Sequence, residues 1–277
     1  MKVICATDFS VASQKALQYA ALIAAYHESS LRILHVLTDV EFDNNLKEED
    51  PSLTFDEMFK HREQKLADLC AGVQKDYPSL HCDTQLLTGK FTRELQEVLD
   101  EEDFTLLVMG TTGRDHNEDT FLGTYSQFAI NDLQVPVLIV PKNSQFEPIS
   151  KIIYASAFER EDKEVIQQMV AFATVFDSVL RVVHLSAQDN PADRKRFESY
   201  KEELSTFITY PQLYFDRQVI GGEIAWGLDL YVTEQQANML VLLTKHRNFF
   251  ERLFHRSVSS QLAYLTDYPI LIYKVND

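Results

Sequence analysis

The sequence predicts an α/β fold built as two tandem domains, each a parallel sheet flanked by helices on both faces. Three observations lead there. Short apolar runs alternate with segments of helical periodicity, the pattern of parallel sheets with right-handed crossovers. The second half repeats the order of the first. The length, 277 residues, suits two hydrophobic cores better than one.

The elements follow in order. Lys2–Thr7 is a short apolar strand. Val11–His27 has helical spacing, with Ala12, Ala16, Ala20 and Ala24 on one face and Ser10 as its N-cap. That alanine face suits close packing on a sheet. Leu31–Val36 is the second strand. Asp39–Asp50 is acidic and polar and reads as an exposed loop. Phe55–Val73 is a long amphipathic helix, Cys82–Leu87 a third strand, and Thr92–Asp100 a helix with Leu95, Val98 and Leu99 facing inward. Phe104–Met109 and Val135–Val140 are buried strands on either side of a helical segment, Thr124–Leu133.

The repeat is legible residue by residue. Leu31-Arg-Ile-Leu-His-Val36 matches Leu180-Arg-Val-Val-His-Leu185, 149 positions later, and Lys2-Val-Ile matches Lys151-Ile-Ile. Val135-Pro-Val-Leu-Ile-Val140 matches Tyr268-Pro-Ile-Leu-Ile-Tyr273, 133 positions later. The domains are therefore expected at 1–142 and 151–277, with a linker at Lys142–Ser150. The second copy is shorter mainly because it lacks the acidic stretch.

Composition bounds the partners. Hydrophobic residues make up 45% of the chain, as in packed globular proteins. A formal net charge of −16 repels nucleic acid and anionic membranes, so neither is an expected partner. No apolar run approaches the roughly 20 residues of a membrane span, and Lys2 leads straight into a strand rather than a signal peptide. Three cysteines without paired spacing, Cys5, Cys70 and Cys82, suit a reducing cytoplasm. No zinc-ligand cluster, P-loop or dinucleotide glycine motif occurs, Ser10 and Ser13 lack a partner for nucleophilic catalysis, and no residue is assigned a catalytic or metal-binding role.

The chemistry concentrates in Met109–Pro141. Gly110 and Gly113 fall where a strand gives way to a loop, so backbone can approach a ligand with no Cβ in between. Gly123-Thr124 opens a helix, whose first N–H groups suit an anion, and Thr124 and Ser126 add hydroxyls there. A glycine turn with a Thr N-cap accounts for the same residues equally well. Arg114 and His116 read as solvated loop residues. Asp8, at the end of the first strand, reads by itself as a turn or capping residue. His35 and His184 occupy equivalent positions, which favours packing over chemistry.

Gly-x2-Gly-x9-Gly-Thr between two apolar strands, with Ala6-Thr7-Asp8-Phe9-Ser10 and Leu34-His35-Val36 at the ends of the first two strands, resembles the ATP-binding signature of the universal stress protein family. The resemblance spans the whole first half. It implies a Rossmann-like, adenine nucleotide alpha hydrolase-like fold with sheet order 3-2-1-4-5. It also implies a site for ATP (or AMP or ADP), with Mg2+ bridging phosphates, formed by Thr7, Asp8, Val36, Met109, Gly110, Gly113, Gly123, Thr124, Tyr125 and Ser126. Asp8 and the backbone of Val36 would meet adenosine. Many relatives carry Pro where this chain has Ala6. By register, Asp8 falls on Ala157, Gly110 on Leu243, Gly113 on His246, Gly123 on Arg256 and Thr124 on Ser257, so the second copy is expected to lack the site. Its Gly221-Gly222 reads as a strand–helix turn. The function implied is a regulatory, ATP-binding stress-response protein with one site per chain and unknown protein partners. Its closing strands would pair within the chain as an internal pseudo-dimer, and their apolar character also suits a homodimer. A slow ATP hydrolase, with Asp115, Glu118 or Asp119 orienting water, and a scaffold with a vestigial site or another small-molecule ligand are the alternatives.

Overall fold

The computed structural model describes residues 1–48, 54–111, 123–244 and 267–274. The chain divides into two compact units, Met1–Lys142 and Asn143–Asp277. In the N-terminal unit the elements run β1 (Lys2–Ala6), α1 (Val11–Tyr26), β2 (Ser30–Leu37), α2 (Asp39–Glu48), α3 (Phe55–Asp76), β3 (His81–Thr88), α4 (Phe91–Glu101), β4 (Leu106–Gly110), α5 (Thr124–Asp132) and β5 (Val137–Val140). In the C-terminal unit they run β6 (Lys151–Ala155), α6 (Asp162–Phe176), β7 (Val179–Ser186), α7 (Pro191–Phe207), β8 (Leu213–Val219), α8 (Ile224–Glu234), β9 (Met239–Thr244) and β10 (Ile270–Lys274).

Each unit is a parallel sheet. The strands of the first lie in the order β3-β2-β1-β4-β5, those of the second β8-β7-β6-β9-β10. The registers repeat as well: Val3 pairs with Leu106 and Ile152 with Met239, Gly110 with Val140 and Leu243 with Tyr273. The cores are the central strands, with Val3, Ile4, Leu107, Leu138, Ile152, Ile153 and Val241 closed to solvent. Such strands read as continuous apolar runs because a parallel sheet is covered on both faces.

Local chemistry explains the helices. Ser10 caps α1 by accepting the Ser13 N–H, and Ala12, Ala16, Ala20 and Ala24 are all buried, which lets α1 pack tightly over β1, β2 and β4. Thr54 and Glu57 form a reciprocal capping box at the start of α3. At α5 the cap is Gly123, which has no side chain to offer, and Thr124 is the first helical residue rather than the cap the sequence suggested.

The acidic stretch read as a loop is helix α2. Thr38 opens it, its Oγ1 accepting the Glu41 N–H at 3.1 Å, and Asp39 and Glu41 lie in the first turn, where the helix dipole favours negative charge. Gly221-Gly222 form the turn between β8 and α8, but a Cβ at either meets nothing within 4 Å, so nothing in the structure explains why both are glycine.

Candidate functional site

In the order β3-β2-β1-β4-β5 the chain reverses direction of travel between β1 and β4. Ligands in open parallel sheets settle outside the carboxyl ends of the strands at such a switch point. Thr7 and Asp8 follow β1, Val36 lies near the end of β2, and Met109 and Gly110 end β4.

The turn after β1 is heavily hydrogen-bonded. Thr7 Oγ1 accepts the Phe9 N–H and donates to Ser13 Oγ, both at 3.0 Å. Asp8 Oδ1 accepts the Ser10 N–H at 3.1 Å, the turn role its residue type suggested. Phe9 has φ 63°. A bulky residue in that left-handed region costs about 1–3 kcal/mol and persists only where its surroundings demand it.

The surroundings are a polar cluster around His35, the one member that the sequence reading treated as packing. The Phe9 ring lies 4.6 Å from the ring of His35. His35 Nδ1 donates to the Thr7 carbonyl at 2.7 Å, and its Nε2 lies 3.3 Å from Glu41 Oε2. Arg62, 1% exposed, donates from Nε to Glu41 Oε1 at 2.9 Å and sits over the Phe9 ring. Burial pushes the Glu41 carboxyl up, but His35 and Arg62 outweigh it and hold the group below the usual glutamate range. Its contribution to stability is therefore complete above the ordinary glutamate pKa and lost as pH falls through the lowered folded value. Acid titration should loosen α2 only below the usual glutamate range, and Glu41→Gln should remove that step from a circular-dichroism titration.

The turn after β4 is organised differently from expectation. A Cβ on Gly110 would lie 2.8 Å from the Ala12 backbone carbon and Cβ and 3.0 Å from the Ser13 nitrogen. Gly110 is thus required by the close approach of α1, and a ligand is not needed to explain it. The Ser126 hydroxyl, expected as a donor to an anion, is buried and donates to the carbonyls of Gly110 and Thr111 at 2.9 and 3.1 Å. The Gly123 N–H donates to the Thr111 carbonyl at 2.7 Å, and the Thr111 N–H to Val140. These bonds bring the start of α5 beside the ends of β4 and β5. The Tyr125 ring stacks on Phe91 with centroids 4.3 Å apart. Gly113, Arg114, His116, Asp115, Glu118 and Asp119 lie outside the described residues.

The C-terminal unit repeats the frame with other chemistry. Ser156 stands where Thr7 does, and its N–H donates to Val183 as that of Thr7 donates to Leu34. Phe158 has φ 61° and stacks on His184 at 3.8 Å. His184 lies between the Ser156 carbonyl at 2.9 Å and Asp193 Oδ1 at 3.0 Å, and Arg217 donates to Asp193 Oδ2 at 2.9 Å. Burial works against ionisation of Asp193, yet Ser186, Arg217 and His184 keep it below the usual aspartate range. The equivalent of Asp8 is Ala157, and the equivalent of Ser13 is Asp162, a carboxylate 1% exposed. It accepts from Tyr154 Oη at 2.7 Å, Ser156 Oγ at 2.6 Å and the Glu159 N–H at 3.0 Å. Leu243 occupies the Gly110 register, and α6 starts two residues later than α1 on the same alignment. His246, Arg256 and Ser257 lie outside the described residues.

The cysteines are free; burial raises the Cys5 thiol to about 12, and the Cys70 thiol donates to the Cys82 carbonyl at 3.2 Å. Among the described residues no three His, Cys, Asp or Glu side chains gather as a metal site, and no helix is long and apolar enough to cross a membrane.

Comparison with known proteins agrees with this architecture. A universal stress protein of Methanocaldococcus jannaschii is 27% identical over 141 residues, 51% of this chain and 82% of that protein. The crystal structure of a universal stress protein from Archaeoglobus fulgidus DSM 4304 covers 99% of this chain and 98% of its own at a TM-score of 0.73 and 14% identity. A putative universal stress protein from Pseudomonas aeruginosa UCBPP-PA14 covers 99% and 92% at 0.61 and 15%. At those identities the structures speak for the fold. The model of the universal stress protein family itself matches residues 1–141 and again 148–274. With two matches spanning nearly the whole sequence, one on each parallel sheet, the chain belongs to the universal stress protein family.

Proposed function

We infer that the N-terminal unit, 1–142, binds one adenine nucleotide, ATP or its mono- or diphosphate, at the switch point between β1 and β4, and that the chain acts as a regulatory binding protein rather than through catalysis. The observation that carries this is convergence: the Thr7–Asp8 turn, Val36, the Met109–Gly110 strand end and the N-terminus of α5 gather at one carboxyl edge. On this reading Asp8 and the Val36 main chain meet adenosine. The amides of Gly113, Gly123, Thr124 and Tyr125 and the Thr124 hydroxyl meet phosphates, and Ser126 shapes the turn. Main-chain donors suit a chain of net charge −16, whose overall field opposes an anion. On this reading Mg2+ would accompany the phosphates of the nucleotide.

The C-terminal unit, 151–277 in its repeated part, is read as a degenerate copy. Ala157 stands where Asp8 would meet adenosine, and Leu243 stands in the register of Gly110, so two positions that the reading uses are changed. Isothermal calorimetry with ATP tests both halves of the reading. One site per chain is expected, and a stoichiometry of two, or no heat at micromolar protein, would reject it. Thr124→Val should weaken ATP without changing the affinity for adenosine.

A further inference from the structure

Both units place a Phe in the left-handed region over a His, whose Nδ1 donates to the carbonyl of the residue two before that Phe. In both, the far side of the His faces a carboxylate that an Arg holds. What differs is the origin of the carboxylate. In the C-terminal unit it is Asp193, on the crossover helix α7, 17 residues long. In the N-terminal unit it is Glu41, on α2, a ten-residue helix that has no counterpart in the repeat.

A helix of that length is marginal by itself and needs tertiary contacts to persist. The side chains described in α2 are those of its first five residues, 39–43. Asp39, Val40 and Asp43 are exposed, Phe42 meets Phe55 edge-on at 5.5 Å, and Glu41 reaches His35 and Arg62. The Glu41 contact runs back to the candidate site. His35 holds the Thr7 carbonyl, Thr7 and Asp8 form the turn after β1, and Val36, beside His35, is two residues short of the start of the connection to α2 at Thr38.

We propose that α2 reads the occupancy of the nucleotide site, with Glu41 and His35 as positioning residues that couple the docking of α2 to the geometry of the Thr7–Asp8 turn. The proposal rests on the adenine-nucleotide reading of that site. With α2 docked, Glu41 holds His35 against Thr7 and the turn is set for adenosine. With α2 released, His35 and the strained Phe9 lose their backing and the turn relaxes. The groups facing His35 are the Thr7 carbonyl, the Phe9 ring and Glu41, with Arg62 behind Glu41 and Lys65 over the outer side of Phe9. Coupling between two sites is reciprocal. If docking of α2 raises nucleotide affinity by some factor, nucleotide must favour docking by the same factor.

Glu41→Gln keeps the shape of the side chain and removes its charge. It should weaken ATP and adenosine alike, by about fivefold, the low end of couplings measured between sites. Amide hydrogen exchange gives the second readout. In the wild type, adenosine should slow exchange both in the Thr7–Ser10 turn and in α2. In Glu41→Gln, it should still slow the turn while the added protection of α2 disappears. A purely structural role for Glu41 would lower the melting temperature without separating those two segments. Unchanged adenosine affinity in Glu41→Gln, or α2 protection by adenosine that survives the substitution, overturns the coupling. A wild type that binds neither ATP nor adenosine instead removes the site reading on which the coupling rests. Should Glu41→Gln fail to fold, Glu41→Asp, which keeps the charge but retracts it by one methylene, serves in its place with the same two outcomes.

Discussion

Asp162→Ala is expected to destabilise the C-terminal unit by about 3–5 kcal/mol, because the carboxylate is the acceptor for three donors, each costing about 1–3 kcal/mol when orphaned in the interior. Tyr154 is closed to solvent and Ser156 nearly so, leaving little room for water to replace the lost oxygens. The Glu159 N–H loses its acceptor at the same time. Asp162→Asn keeps the volume and one acceptor oxygen but turns an amide toward hydroxyl donors, so it should cost roughly half as much. The chain has a single tryptophan, Trp226, on α8 of the same unit, and its fluorescence reports the relevant transition in urea. The midpoint should fall with the slope unchanged. An unmoved midpoint would show that the network does not hold the unit together.

Gly110→Leu should be the most damaging single change in the N-terminal unit, exceeding the roughly 1–3 kcal/mol typical of overpacking. Even a Cβ at this position meets the Ala12 backbone carbon at 2.8 Å, and backbone cannot step aside as a flexible side chain can. Either α1 lifts from the sheet or β4 shifts, and in both cases the Gly110 carbonyl leaves Ser126. Gly110→Ala should cost about 1–3 kcal/mol. Nucleotide binding should fall with both, because the Ser10–Ser13 end of α1 anchors Thr7. Scanning calorimetry would show the N-terminal transition moving while the Trp226 signal stays in place. The C-terminal unit already carries Leu243 in that register, with its helix starting later. Leu243→Gly should therefore leave ATP stoichiometry at one, since Asp162 and Ala157 still occupy the turn. A second equivalent of ATP in that variant would contradict the account of why the copy is silent.

Much of this protein could be read from local sequence. Alternation of apolar runs with 3.6-residue periodicity marked every strand of the N-terminal unit and all of its helices but α2, since burying one face of an element leaves its period in the chain. Ser10 as a cap and the alanine face of α1 are near-neighbour effects of the same kind. The duplication was visible because both halves keep the same core spacing, and the paired strand registers repeat it. The glycine and threonine positions of the motif were visible too, though Gly110 owes its identity to α1 and Ser126 spends its proton on carbonyls.

What sequence could not supply were the interactions that join distant residues. Asp39–Glu48, within the stretch that looked like a solvated loop, carries charge that normally faces water. It is helix because Thr38 caps it and because Arg62, 21 residues beyond Glu41, meets its carboxylate in the interior. His35 looked like packing because His184 repeats it; its partners, Thr7 and Glu41, lie on either side of it in sequence and meet only when β1, β2 and α2 assemble. The sequence by itself determined two parallel α/β units, because periodicity and turn chemistry act over a few residues. Only the tertiary structure decided which charges are buried and paired, because a charge's fate depends on what the fold brings within a few ångströms of it.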